Sequence, residues 1–232
     1  MKLNDYAQVK ATLKLKSGLH IGTGEKVDRG DALPVMESPW NGMPYIPGSS
    51  LKGKMRHLLE LSYGRAATDP RDTGSPCWCG KCQICQLFGS GSSGNTFEPT
   101  RLIFRDCFLT DDSEAHLEKV SLEEKPGVRI DRITGKAAKG ALFPMKRIPE
   151  GCEFGFEISA RVFEGDDINA LKQWLRAGLY LLEQDALGGG GTRGSGHIEF
   201  LNVKCNSVDF PSDWREQHKG VKDSLADVKI KG

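Results

Sequence analysis

Nine residues near the end of the chain, Gly188-Gly-Gly-Gly-Thr-Arg-Gly-Ser-Gly196, constrain the fold more than any other stretch, because six of them are glycine. Glycine tolerates positive φ and lets another backbone come close, at a cost in folding entropy wherever that freedom goes unused. So dense a run, set between an apolar helical segment and a short apolar strand, implies a tight wrap around something, and Arg193 in its middle points to an anion. A flexible linker is the competing reading, but only 36 residues follow, too few for an ordinary second domain.

The segments ahead of this loop read as alternating strands and helices. Residues 7–16 alternate strictly, with Ala7, Val9, Ala11, Leu13 and Leu15 on one face and Gln8, Lys10, Thr12, Lys14 and Lys16 on the other, which predicts a half-buried strand. The turn-rich Ser17-Gly-Leu-His-Ile-Gly-Thr-Gly24 follows, then an exposed loop in which Asp28 and Asp31 flank Arg29 and Gly30. Solvated turn carboxylates are the default for such a loop. Ser49 or Ser50 is placed to cap a helix whose apolar stripe is Leu51, Met55, Leu58 and Leu59. Lys52, Lys54 and Arg56 make its start basic, and a basic helix N-terminus is a ready phosphate site. Gly48, Gly53 and Lys54 also match seven positions of a P-loop, but Met55 stands where the hydroxyl belongs and two prolines replace the preceding strand.

Residues 66–100 read as an insertion bounded by Asp-Pro and Gly-Ser turns, with Cys77, Cys79, Cys82 and Cys85 inside it. Four cysteines within nine residues, in a chain whose N-terminus shows no apolar signal core, point to metal rather than disulfides. A structural Zn²⁺ site closed by four thiolates is favoured. An iron-sulfur cluster is the rival, but the fourth cysteine of the bacterial ferredoxin run is missing. Residues 101–109 read as an apolar strand containing Asp106. From Val128 to Ile148 the basic residues Arg129, Arg132, Lys136, Lys139, Lys146 and Arg147 face the single acid Asp131. With turn signals inside it, this stretch predicts a projecting basic hairpin suited to a polyanion. A second alternating strand over 153–162, a helix capped by Asp166 or Asp167 with Ile168, Leu171, Leu175, Leu179 and Leu182 on one face, and a final strand over 197–205 complete the pattern. Net charge is only +1, so nucleic-acid binding must rest on local clusters. No apolar run is long enough to span a bilayer, and a cytoplasmic protein is expected.

The element order predicts an α+β chain with a ferredoxin-like or RRM-like (split βαβ) core and long insertions. Here several motifs coincide: Gly18-Leu-His-Ile-Gly22, Ile46-Pro-Gly-Ser-Ser-Leu-Lys-Gly-Lys-Met-Arg56, Leu102-Ile-Phe-Arg-Asp106, Arg129-Ile-Asp-Arg-Ile-Thr134 and the glycine-rich loop. Together they resemble the RAMP-superfamily backbone subunits of type III CRISPR effector complexes, of the Csm and Cmr kind, from about residue 7 to 205. The cysteine insertion is similar to metal-binding insertions of some type III subtypes. The resemblance implies one RRM-like palm domain over 1–206, with a zinc-stapled insertion at 66–100, a β-hairpin thumb at 126–150 and a peripheral tail at 207–232. It implies partners as well: a CRISPR guide RNA bound by its backbone, a complementary target RNA, and other effector subunits with further copies or paralogues stacked head to tail, with no membrane. Guide contacts would then come from His20, Lys52, Lys54, Arg56, Arg129, Arg132, Gly189, Gly190, Thr192, Arg193 and Ser195. The family often cleaves target RNA through a loop aspartate with Mg²⁺ or Mn²⁺ and the adjacent 2′-hydroxyl as nucleophile. Many relatives write that loop as Asp-x-Pro-Val/Ile, and this chain has Asp31-Ala-Leu-Pro-Val35, one residue longer. Asp31 is therefore the first catalytic candidate and Asp28 the second. An inactive, purely structural backbone subunit is the alternative, and a P-loop-like enzyme a remote one.

Overall fold

The computed structural model describes residues 1–25, 28, 31–65, 74–91, 99–218, 225 and 228–230. Arg29 and Gly30 of the aspartate loop, residues 66–73 and 92–98 of the cysteine insertion and parts of the tail lie outside the described residues. The first strand, β1 (Leu3–Leu15), buries Ala7, Val9, Leu13 and Leu15 on one side as its alternation demands. It begins four residues earlier than the strict alternation, because Leu3, Asp5 and Tyr6 pair with the end of β5 (Glu153–Phe163) through a bulge. Strand β2 (Leu102–Phe104) lies on the other edge of β5, β6 (Ile198–Cys205) on the other edge of β1, and the short β7 (Val208–Asp209) outside β6. All neighbours are antiparallel. Helix α1 (Gly48–Ser62) connects β1 to β2 and α4 (Ile168–Gln184) connects β5 to β6. Each βαβ unit is thus split by a strand of the other, the arrangement the element order predicts.

One face of the sheet is covered by α1 and α4, which bury Leu51, Met55 and Leu59 against Leu171, Leu175 and Leu179 in a common core with Phe154, Phe156 and Phe200. Asp167 caps α4 by accepting from the Asn169 amide at 2.8 Å, satisfying one of the amides a helix start leaves free. Helix α1 starts before either serine. Its N-cap is Pro47, and the Gly48 amide donates to Asp106 Oδ1 at 2.8 Å. Aspartate from a distant segment thus does what the serines were expected to do. Only three of residues 101–109 pair as a strand, with isolated bridges from Cys107 to Ile46 and from Leu109 to Phe154. Gly48 to Lys54 is helix throughout, with no phosphate-cradling loop.

Between β2 and β5 the chain makes helix α3 (Asp111–Val120) and then the hairpin β3 (Glu123–Ile130) and β4 (Ala137–Arg147), a separate two-stranded sheet. The hairpin begins three residues before the thumb expected at 126–150, since Glu123 pairs with Arg147. The cysteine insertion carries helix α2 (Gln83–Phe88), whose Ile84, Leu87 and Phe88 join the main core. The tail differs from its expected peripheral placement. Phe210, Trp214, Leu225 and Ile230 are buried, Trp174 Nε1 donates to the Val228 carbonyl at 3.1 Å, and the Asp167 amide donates to Ile230. These apolar residues follow no period, so local pattern could not reveal that they close over α4.

Candidate nucleic-acid interface and metal centre

The glycine loop does wrap tightly, and what it wraps is the chain's own Gly18–His20 turn. The Gly189 amide donates to the His20 carbonyl at 2.8 Å and the Gly196 amide to Gly18 at 3.0 Å. Gly188, Gly190, Gly194 and Gly196 all have positive φ around a single 3-10 turn at Gly191–Arg193. The turn is also tied to the hairpin. Leu19 and Ile148 exchange backbone hydrogen bonds, and His20 Nδ1 donates to the Lys146 carbonyl at 2.7 Å. The His20 ring is buried.

Arg147 completes the junction. Its guanidinium lies against Gly18, donates to Ser195 Oγ at 3.0 Å and grips both carboxylate oxygens of Glu123 at 2.6 and 2.7 Å. Lys125 Nζ donates to the Arg193 carbonyl at 3.1 Å. A cleft of about 70 Å³ remains between hairpin base and glycine loop, lined by Lys125, Phe143, Met145, Gly190 and Arg193. The aspartate loop opens from the same place: Gly22 bridges Val35, the Leu33 amide donates to Pro144 and the Lys146 amide to Leu33. Asp28 and Asp31 are exposed, and the Asp31 amide donates to the Asp28 carbonyl at 3.1 Å. His20, the glycine loop, the aspartate loop and the hairpin base therefore converge at one junction.

The other expected contacts divide. Thr192, Arg193, Arg129 and Arg132 are exposed. Asp131, at the hairpin tip, accepts from Thr134 and Ile133, whose hydrogen bonds hold its carboxyl below the usual range and make it a turn former. Lys54 pairs with Asp185 at 3.0 Å just ahead of the glycine loop, and partial burial, with the nearby Arg56 charge, lowers the Lys52 ammonium from its ordinary value. Arg56 faces inward instead: Nε donates to Glu60, and the two terminal nitrogens to the Gly89 and Cys77 carbonyls. Ser195 is likewise buried, with its hydroxyl taken by Arg147. Sequence reasoning missed Glu60, Glu123 and the clamping role of Arg147. Only the i,i+4 spacing of Arg56 and Glu60 offered a signal.

The four insertion cysteines come together with all Sγ atoms within 4.8 Å of one another, the Cys77–Cys82 and Cys79–Cys85 pairs at 3.8 and 3.9 Å. A tetrahedral ion with metal–sulfur bonds of about 2.3 Å sets its ligands about 3.8 Å apart, so the donor set fits one metal ion. The gap is too small for a multi-iron cluster between the sulfurs. Cys79 and Cys82 each open a tight turn, with the Cys82 amide donating to Cys79 Sγ and the Cys85 amide to Cys82 Sγ. Burial works to raise the Cys79 thiol, but the Lys81 and Cys82 amides outweigh it and hold it at about 6, while burial pushes Cys82 up to about 11.

An antiparallel sheet of split βαβ order with two helices on one face, an inserted hairpin and a glycine-rich loop locked against its first turn makes this an α+β protein. The chain belongs to the RAMP superfamily, whose sequence model matches residues 12–199. It is similar to proteins named CRISPR system Cms endoribonuclease Csm3. The one from Methanothermobacter thermautotrophicus is 38% identical over 235 residues and 92% of each chain. That from Methanocaldococcus jannaschii is 35% identical, covering 95% of this chain and 88% of the relative. Over 99% of both chains it superposes on a chain of a solved Csm3-Csm4 subcomplex of the type III-A CRISPR-Cas interference complex, with TM-score 0.60 and 26% identity. Among the described residues no helix is long and apolar enough to cross a membrane.

Proposed function

We propose that this chain is a guide-RNA-binding backbone subunit of a type III CRISPR interference complex, working in the cytoplasm, and that it cuts target RNA paired to the guide. The observation that supports this most directly is the full-length similarity to proteins named CRISPR endoribonucleases. The convergence of His20, the glycine loop, the hairpin base and the base of the aspartate loop adds a physical reason. Guide phosphates would meet Lys52, Lys54, Arg129, Arg132, Thr192 and Arg193, with Gly189 and Gly190 giving close backbone approach. Such contacts fix register without reading sequence. The Lys54–Asp185 pair is half-exposed, so exchanging it for a phosphate costs little. His20 and Ser195 serve by holding the junction in shape, whereas Arg56 is turned toward the cysteine insertion. The exposed apolar side chains of the hairpin, Ile133 above all, would wedge beside a displaced base. Copies or paralogues of the chain, with other subunits, would stack head to tail along the guide.

For cleavage, the Asp31 carboxylate accepts the proton of the target's 2′-hydroxyl, the 2′-oxygen attacks the adjacent phosphorus as the bond to the 5′-oxygen breaks, and the departing 5′-oxygen takes a proton from water. The product carries a 2′,3′-cyclic phosphate. Asp31 and Asp28, on one tight turn, offer the hard oxygen donors that Mg²⁺ or Mn²⁺ prefers, and would hold such an ion, which would supply positive charge against the phosphate. The cysteine centre holds Zn²⁺ as a structural ion, since the protein supplies all four ligands. The test is to purify the chain with its neighbouring subunits and a repeat array and to sequence the bound RNA. A discrete repeat-tagged RNA is expected. Asp31→Ala should then abolish target cutting while guide binding persists. Cutting that persists in both Asp31→Ala and Asp28→Ala would leave the structural-subunit reading in its place.

A further inference from the structure

Cys77 is held by α1 from both sides of its peptide. Its amide donates to Glu60 Oε1 at 2.9 Å and its carbonyl accepts from Arg56 at 2.7 Å. Arg56 and Glu60 are themselves joined, Nε to Oε1 at 2.8 Å, with the two side chains 13% and 6% exposed. The remaining terminal nitrogen of Arg56 reaches the Gly89 carbonyl at 3.0 Å. Its guanidinium also stands over the Trp78 ring at 5.5 Å. One guanidinium therefore grips the chain at the first cysteine and again just past α2, and every ligand sulfur lies between the two grips.

We propose that Arg56 and Glu60 are positioning residues for the four-cysteine centre and set its metal affinity. This inference rests on the cysteines taking a metal ion and is independent of RNA binding. Without a metal, ordering this loop must bring four ligand sulfurs together and costs conformational entropy, which the binding energy of the ion offsets. A loop whose two ends are already pinned to a buried helix has less to lose, so the ion is held more tightly. Only a planar fork makes these bonds at once. Lysine, a point charge on a flexible stem, cannot replace it. Partners that orient metal ligands from outside commonly change affinity by about 10–100-fold.

The experiment uses the full chain. Zn²⁺ affinity is read by competition with a chromophoric chelator, Co²⁺ titration reports the sulfur-to-metal and d–d bands of a tetrahedral thiolate site, and melting is followed on metal-stripped protein. Arg56→Lys and Glu60→Ala should weaken Zn²⁺ binding by about 10–100-fold and flatten the Co²⁺ bands. Glu60→Gln, which keeps an oxygen for both donors, should recover most of the Glu60→Ala loss, and the exposed α3 control Lys119→Met should change nothing. Native-like affinity in Arg56→Lys and Glu60→Ala overturns the proposal. So does a matching fall in the melting temperature of the metal-stripped variants, which would mark the pair as general props of α1. If Arg56→Lys does not fold, the order of Glu60→Gln and Glu60→Ala decides. Absence of thiolate bands in the native chain would instead remove the metal centre itself, a different failure from bands that appear with unchanged affinity.

Discussion

Gly194 and Gly196 have the same positive φ, 79° in each, yet only one of them is crowded. Open space surrounds Gly194, whereas a Cβ on Gly196 would overlap the Leu187 carbonyl. Gly194→Ala should therefore cost only the left-handed penalty, about 1–2 kcal/mol. Gly196→Ala should cost at least about 3 kcal/mol, because a backbone carbonyl cannot step aside. Urea denaturation of the two variants makes the comparison, and equal losses would mean the loop is not packed as described. A second contrast concerns Arg101, fully buried and paired with the equally buried Asp166. Arg101→Met strands that carboxylate and should destabilise by about 3–5 kcal/mol, and Arg101→Met with Asp166→Asn should recover part of the loss. At this scale the sequence shows which side chains carry charge but not where the fold puts them. The basic residues of α1 look alike in one dimension, but Arg56 falls on the side facing the cysteine insertion. The insertion's position was the missing fact.

The hairpin is the element on which guide binding tests most cleanly. Arg129 and Arg132 are exposed and have charge to spend. If each neutralises one phosphate, Arg129→Ala with Arg132→Ala should lower the slope of log affinity against log salt by about 1.4, at about 0.7 per contact on a single strand. Filter binding of guide RNA between 50 and 300 mM salt measures it, and an unchanged slope would mean the hairpin meets RNA through its apolar residues alone. The strands and helices were legible because burial on one face imposes a period of 2 or 3.6. Their ends were less so. Asp106 holds the start of α1 through a hydrogen bond spanning 58 residues, which no local rule anticipates.

For the whole molecule, the cysteine insertion and the tail matter because both reach the main core. Since α2 buries Ile84, Leu87 and Phe88 there, removing the ion should loosen more than a surface flap. An ion at about 100 times its Kd contributes about 2.7 kcal/mol, so a strong chelator should lower Tm by roughly 5–10 °C for a chain of this size, and an unchanged Tm would uncouple insertion from core. The tail brings a pH dependence. His218 is buried beside Arg176, and burial first, then that positive charge, lowers its pKa below 6.5. Neither ring nitrogen has a partner among the described residues. Below pH 6.5 the unfolded chain takes a proton that the folded chain refuses, so the stability present above 6.5 is lost as pH falls. Thermal melts between pH 7.5 and 5.5 should show this decline, and His218→Gln should flatten it.

The sequence alone determined the split βαβ class, the basic hairpin, the four-cysteine cluster and the need for a tight glycine wrap, because each is a local matter of period, sign or spacing. Tertiary structure decided what the glycines wrap, which basic side chains stay exposed, and that the tail belongs to the core. The glycine wrap depends on contacts between segments more than a hundred residues apart, such as His20 with Lys146 and Gly18 with Gly196, and the inward turn of Arg56 and the burial of the tail depend on contacts well beyond one element. Chain distance carries no information about such pairs until the sheet brings them together.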